Sequence, residues 1–377
     1  PAGKRYVETG RQIMMLEQNL KNELSDLNGE STGILRFGIS AQEGMYLLPR
    51  VLPRFFQMYP QVKLCVEERG SALLEEMLLD GTLDQLDGLI TPTICDTLRP
   101  MSQNFRVAME GKLPCIFLAH PQNRKPAFGL QFTVDQYMHV KSELEKISGN
   151  TITDEALRDA IKVMNRSRKA RREFVKLAGQ HPEAISAVER SAVLRSAWFM
   201  EPAVHAQKLE ELNEELSKLP ASNWKGRKVV TSGIICDNPK LLQIFDDNNI
   251  AIAADDVAQE TRAFRVDASE EGDPMMALAQ QFADQDYDVL LYDEHSNKNR
   301  RADYVVQMVK ESGAQGLVLF MQQFCDPEEM EYPYLKKALD DAGIPHIKLG
   351  VDQQMRDFGQ ASTAATPATA ARPHVFC

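Results

Sequence analysis

Two cysteines in this chain stand in the same local setting. Cys95 follows the apolar run Leu86–Ile90 and precedes Asp96, and Cys325 follows Gly316–Phe320 and precedes Asp326-Pro327-Glu328-Glu329. Both runs read as strands, and open parallel sheets bind ligands just outside the carboxyl ends of their strands. Asp96 and Asp326 suit helix N-caps, and Pro327 suits a first helical position. A thiol beside a helix N-terminus has its thiolate stabilised by the helix dipole, the form that ligates metals or attacks electrophiles. A lone buried cysteine is ordinarily a small core hydrophobe. The same pattern at two equivalent strand ends favours a shared site, with both sulfurs about a cluster width apart.

The other residues able to do chemistry give weaker signals. Cys115 lies inside an apolar run, Cys236 follows Ile234-Ile235, Cys65 lies in Val62–Glu67, and Cys377 is in the tail. Core packing is the reading for Cys115 and Cys236. There is no CxxC pair, HExxH, GxGxxG, GxxxxGK[ST] or GxSxG, so local zinc, dinucleotide, P-loop and serine-hydrolase chemistry lack their motifs. Among the 7 histidines, His120 before Pro121 stands at a strand end and is a candidate site residue. Arg166, Arg168, Lys169, Arg171 and Arg172 form a basic helical run. It reads first as a solvated face, and secondly as a partner for a phosphate-rich ligand such as coenzyme A.

The elements that must position these residues alternate. An amphipathic helix over 3–27 presents Ile13, Leu16, Leu20, Leu24 and Leu27, and Gly29 ends it. Strands are expected at Ile34–Ser40, Val62–Glu67, Leu86–Ile90 and Cys115–Ala119, with helices at Tyr46–Met58 and Ala72–Leu79. A charged helical stretch runs from 133 to about 218, capped at Thr133 and Thr153. Strands then read at Lys228–Ser232, Ile250–Ala254, Val289–Tyr292, Gly316–Phe320 and His346–Leu349. Helices read at Pro239–Asp247, Pro274–Asp284, Arg301–Ser312 and Tyr334–Ala342. The expected class is α/β, with two doubly wound parallel-sheet lobes, an intervening helical region and an N-terminal linker helix. The expected divisions are a linker-like helix (1–30), a first α/β lobe (31–132), a helical region (133–223), a second α/β lobe (224–358) and a disordered tail (359–377).

At 377 residues, with 43% hydrophobic and 26% charged residues, the composition is that of a globular protein. A formal net charge of −11 argues against broad nucleic-acid binding. No apolar run approaches the roughly 18 residues a membrane helix needs, and no secretory leader is visible. The expectation is a soluble cytoplasmic protein with no membrane or nucleic-acid partner.

Residues 86–360 resemble the cluster-carrying subunits of the 2-hydroxyacyl-CoA dehydratase family, which includes benzoyl-CoA reductase subunits. The resemblance is carried by LDGLITPTICDTLRPMSQNFR (86–106), MNRSRKARREF (164–174), the stretch WKGRKVVTSGIICDNPKLLQIFDDNNIAIAADDVAQETRAFRVD (224–267) and GLVLFMQQFCDPEEMEYPYLKKALDDAGIPHIKLGVDQQ (316–354). The 224–267 segment is most similar to 2-hydroxyglutaryl-CoA dehydratase subunits. The resemblance implies a [4Fe–4S] cluster held by three cysteines, with Cys95 of the ICDT motif and Cys325 of the FCDP motif as ligands. It also implies a second, related subunit, an ATP-dependent iron–sulfur activator protein and an acyl-CoA substrate. Water would be eliminated from an (R)-2-hydroxyacyl-CoA by way of a ketyl radical. The family's first ligand belongs to an upstream Cys-Ser-Tyr-like motif that this chain lacks, and Cys65 is the weak substitute for it.

Residues 1–84 resemble something else. PAGKRYVETGRQIMMLEQNL and GILRFGISAQEGMYLLPRVLPRFFQMYPQVKL are similar to the linker helix and the start of the effector domain of LysR-type transcription regulators. The two resemblances meet near Asp80–Asp87. The joint reads as a chimeric chain, in which a linker helix adapted to another partner packs poorly and the missing third ligand leaves the dehydratase inactive. A regulator fragment is the rival reading.

Overall fold

The computed structural model describes residues 33–39, 62–68, 86–93, 98–289, 300–323, 325–351, 359 and 361–362. The chain separates into two compact units, Pro1–Asp84 and Gln85–Cys377. In the first unit, β1 (Gly33–Ile39) and β2 (Val62–Glu68) pair in parallel, with Arg36 opposite Cys65. The expected helices at 3–27, 46–58 and 72–79 lie outside the described residues.

The second unit begins with β3 (Leu89–Pro92), α1 (Leu98–Ala108) and β4 (Cys115–Leu118), and β3 and β4 pair in parallel. Four helices follow: α2 (Ala127–Ser148), α3 (Asp154–Gln180), α4 (Ala187–Ser196) and α5 (Pro202–Ser217). Thr153 caps α3 as expected, its side chain accepting from Ala156 N at 3.2 Å. Thr133 is not a cap. It sits inside α2, buried, and its hydroxyl donates to Gly129 O at 3.0 Å. Thr is ambiguous in this way, because the same hydroxyl can cap a helix or bond back to the preceding turn.

The remaining elements are β5 (Arg227–Gly233), α6 (Pro239–Asp247), β6 (Ile250–Val257), α7 (Pro274–Ala283), α8 (Arg300–Glu311), β7 (Gly316–Gln322), α9 (Asp326–Asp341) and β8 (His346–Val351). All pairings are parallel, in the order β6-β5-β7-β8. Helix α9 starts at Asp326, well before the expected Tyr334. Pro333 lies inside it and forfeits one backbone bond. Asp326, Glu328 and Glu329 in its first turn complement the dipole and carry the helix through that defect. Of the expected strand Val289–Tyr292, residues 290–299 lie outside the described residues, and Val289 itself is in a turn.

Strand β7 shows why the sheet is closed on both faces. Leu317, Leu319 and Met321 pack with Val305 and Val309 of α8 and Leu335 and Leu339 of α9. Val318 and Phe320 point the other way, onto Leu241, Leu242 and Phe245 of α6. A period of two with apolar residues at both phases is the signature of a strand covered on both sides. Helix α3 reaches β6 through Gly179, where an added Cβ would lie 2.2 Å from Ala253 O. Gly179→Ala is therefore expected to destabilise the protein by roughly 1–3 kcal/mol from overpacking, despite alanine's better helix propensity. Urea unfolding followed by far-UV circular dichroism measures it, and an unchanged or raised midpoint would refute the close approach.

Candidate functional site

Cys325 occupies the N-cap position of α9, one residue earlier than the sequence pattern places the cap. Its N–H donates to Gln322 O at 3.2 Å, its carbonyl accepts from Glu329 N at 3.0 Å, and its side chain makes no capping bond. The thiol is half-buried at the positive end of a 16-residue helix. In chain order the four-stranded sheet reads 2-1-3-4, so its switch point falls between β5 and β7. The helix after β5 packs on one face of the sheet and the helix after β7 on the other. The two connections diverge there, and Cys325 opens the second of them.

A buried charge network fixes this end of the sheet. Asp256, at the end of β6, is wholly buried. Its carboxylate accepts from Arg301 Nε at 2.8 Å, from Ser232 Oγ at 3.1 Å and from Arg265. Arg262 donates to Asp256 O at 3.0 Å, to Gly233 O at 2.7 Å and to Glu328 Oε1 at 2.8 Å. Arg301 also donates to Ser232 Oγ at 2.8 Å and pairs with Glu331. The two arginines thus join the ends of β5 and β6 to the first turns of α9. Burial alone would push the Asp256 carboxyl up, but the guanidiniums of Arg301, Arg262 and Arg265 hold it well below the usual carboxylate range. Nearby, Arg190 pairs with Asp255 and, at 2.5 Å, with Glu260. Burial pushes Glu260 up to about 7 against the pull of Arg190, and the neighbouring Asp255 carboxylate adds to the rise. Cys236 lies in the core beside them, and burial raises its thiol far above the ordinary range. It is a packed neutral thiol, as its sequence setting suggests.

The first sheet offers the second half of the site. Thr93, just past β3, has its N–H bonded to Leu118 O at 3.0 Å, and its hydroxyl accepts from His120 N at 2.8 Å. Thr93, Arg99, Gln103, Phe117 and His120 line a cleft of about 410 Å³ at the carboxyl ends of β3 and β4. The His120 ring lies 4.5 Å from Phe282 and meets Tyr137 edge-on at 6.3 Å. Burial holds its imidazole below the ordinary value, so the ring is neutral near pH 7. Cys95 and Asp96 lie outside the described residues, between Thr93 and Leu98. Cys65 is in mid-strand β2, three residues short of the strand end at Glu68. Cys115, the first residue of β4, is only partly buried, and its Sγ lies 3.5 Å from Leu113 O.

The basic run is not a solvated face. Arg168 and Arg171 are buried. Arg166 pairs with Glu210 at 2.6 Å, Arg172 pairs with Asp267 at 2.6 Å, and Arg171 lies over the Phe264 ring at 4.8 Å. These side chains fasten α3 to its neighbours. The charge network itself went unread in the sequence. Its one visible signal is Asp255-Asp256 inside an apolar strand, which demands buried partners.

Among the described residues, no group of three or more His, Cys, Asp or Glu is arranged to hold a metal ion. Cys325 alone has the donor chemistry a cluster ligand needs. A thiolate there would be favoured by the α9 dipole, and no hydrogen bond to the cap occupies its side chain.

A family model for the 2-hydroxyglutaryl-CoA dehydratase D-component matches residues 52–365. The chain belongs to this family. It is 62% identical over 290 residues to the (R)-2-hydroxyglutaryl-CoA dehydratase subunit beta of Acidaminococcus fermentans, covering 77% of this chain and 76% of that subunit. It is 41% identical over 289 residues to the (R)-phenyllactyl-CoA dehydratase beta subunit of Clostridium sporogenes, with 77% and 76% covered. A shorter likeness, 32% over 83 residues, is to the transcriptional regulator YtlI of Bacillus subtilis, with 22% and 27% covered. The dehydratase likeness and the regulator likeness thus both occur, as the motifs suggest, and by the former this member of the family is an enzyme subunit. No helix among the described residues is long and apolar enough to cross a membrane.

Arg262→Met should strand the Glu328 carboxylate and free Gly233 O, at a cost of about 3–5 kcal/mol. Denaturant unfolding checks this, and a loss below about 1 kcal/mol would show that the network does not hold α9. The pH dependence follows from Glu260. Its folded pKa lies above its unfolded value, so the native state binds the extra proton between about 4.5 and about 7. That stability is present below the lower value and is lost as pH rises through the higher one. Glu260→Gln should flatten the fall in melting temperature across this window, and an unchanged slope would assign it elsewhere.

Proposed function

We propose that this chain is the beta-type subunit of a 2-hydroxyacyl-CoA dehydratase, a hydro-lyase acting on an (R)-2-hydroxyacyl-CoA such as 2-hydroxyglutaryl-CoA. Cys95 and Cys325 are its cluster ligands. A second, related subunit and an ATP-dependent iron–sulfur activator complete the system, which works in the cytoplasm of an anaerobic amino-acid fermenter. The observation that carries this reading is Cys325 at the N-cap of α9, beside the switch point, within a motif shared with the family. When bound, a [4Fe–4S] cluster supplies one-electron reduction of the thioester carbonyl, which makes loss of the hydroxyl feasible where the hydrogen to be removed is not acidic.

The chain's own residues supply position and surroundings. The α9 dipole favours the Cys325 thiolate. Arg262 and Arg301 hold the first turns of α9 through Glu328 and Glu331, so the sulfur has a fixed origin. The flanking segments past β3 and β4 place polar groups, Thr93, Arg99 and Gln103, around an open cleft large enough for part of a substrate.

Iron and acid-labile sulfide analysis of anaerobically purified chain tests the reading. Roughly four irons with equal sulfide are expected for a [4Fe–4S] centre, falling to background in Cys325→Ser at unchanged circular dichroism. Turnover of (R)-2-hydroxyglutaryl-CoA is expected only with the partner subunit, activator and ATP. Iron-free wild-type protein after reconstitution would overturn the proposal.

A further inference from the structure

The third protein donor to that cluster has no cysteine at a strand end to supply it. Cys65 stands in mid-strand β2. Cys115 opens β4, and Cys236 is a buried core thiol. The described residues offer another group in the right setting. His120 stands two residues past β4, at the same end of the β3–β4 pair from which the chain runs toward Cys95. Its N–H is fixed to Thr93 Oγ1 at 2.8 Å, and Thr93 is two residues before Cys95. The imidazole lines the 410 Å³ cleft and is braced by Phe282 and Tyr137. Neither ring nitrogen hydrogen-bonds to a described residue. A half-buried imidazole held by aromatic contacts, with nothing bonded to its lone pair, is the arrangement of a ligand awaiting its metal.

We propose that His120 supplies the third protein donor to the iron–sulfur cluster, through a ring nitrogen, in place of the missing upstream cysteine. Imidazole replaces thiolate on one iron in some clusters and raises the reduction potential. Neutral imidazole in place of thiolate removes one negative charge from the site, which has the same effect. The inference rests on the cluster reading above, and its test separates the two.

The reconstituted, reduced full-length chain would be studied by pulsed electron paramagnetic resonance, with and without ¹⁵N-histidine. A directly bound imidazole gives a strong nitrogen coupling that changes with the isotope. His120→Phe, which keeps the ring contact with Phe282, should abolish that coupling and cut iron content by at least half. His120→Cys should restore the iron, without nitrogen coupling and at a lower reduction potential. A cluster with full iron and no strong nitrogen coupling would overturn the assignment while leaving the cluster standing. Loss of iron in Cys65→Ser but not in His120→Phe would do the same and name Cys65. Wild-type chain that takes up no iron would overturn both readings.

Discussion

The carboxylate of Asp256 is the constraint on which the active end of the molecule depends. An isolated carboxylate buried this deeply would protonate or force the fold open. Here three guanidiniums and a serine hydroxyl converge on it. The arginines that neutralise it come from different segments: the turn after β6 supplies Arg262 and Arg265, and α8 supplies Arg301. Each carries bonds onward to another element, so satisfying one charge fixes the termini of β5, β6, α8 and α9 together. An apolar cluster of the same volume could be as stable. It could not fix direction, because dispersion contacts tolerate sliding where hydrogen bonds do not. Cys325 lies three residues before Glu328, and so it inherits that direction.

Backbone geometry then decides where a ligand can sit. Gly233 ends β5 at φ 140°, and an added Cβ would lie 2.4 Å from Phe320 O of β7. The strands approach too closely at this point for a side chain, so the inside of the switch point is closed. Any ligand must lie beyond the strand ends, where the connection into α6 turns to one face and the connection into α9 to the other. Glycine is required here for both reasons, the positive φ and the contact.

Much of the fold could be read from the sequence, because each strand of the second lobe is a short apolar run between amphipathic helices. Pro239–Asp247 matches as expected, since Asn238 caps it and Pro239 begins it. The misreadings have local causes. Thr133 has the chemistry of a cap and is used as an interior back-bond. Pro333 has the chemistry of a breaker and is tolerated within α9. The basic run is charged on paper, yet its partners Glu210, Asp267 and Phe264 lie 44, 95 and 93 positions from the residues they meet. For the same reason the Asp256 network was invisible, since nothing local announces that Arg301 meets a strand end 45 residues earlier. The chemistry of Cys325 was visible because strand, thiol and helix start are consecutive in the chain.

A site that draws donors from two sheets needs those sheets at a fixed separation, since metal–ligand distances vary by only about 0.2 Å. The structure provides the fastening just behind His120. Arg124, almost wholly buried, donates to Gln285 O at 3.0 Å and to Asp286 at 2.8 Å, and Lys125 reaches the same carboxylate at 2.7 Å. His120 itself stacks on Phe282 from the same stretch. The segment leaving β4 is thus bound to the end of α7, whose chain continues from β6 and the Asp256 network. Buried ion pairs contribute little net stability, but one with a buried guanidinium is costly to break. Its consequence here is spatial: the carboxyl ends of the two sheets are linked through polar contacts of defined length, and neither can shift without leaving a charge unpaired.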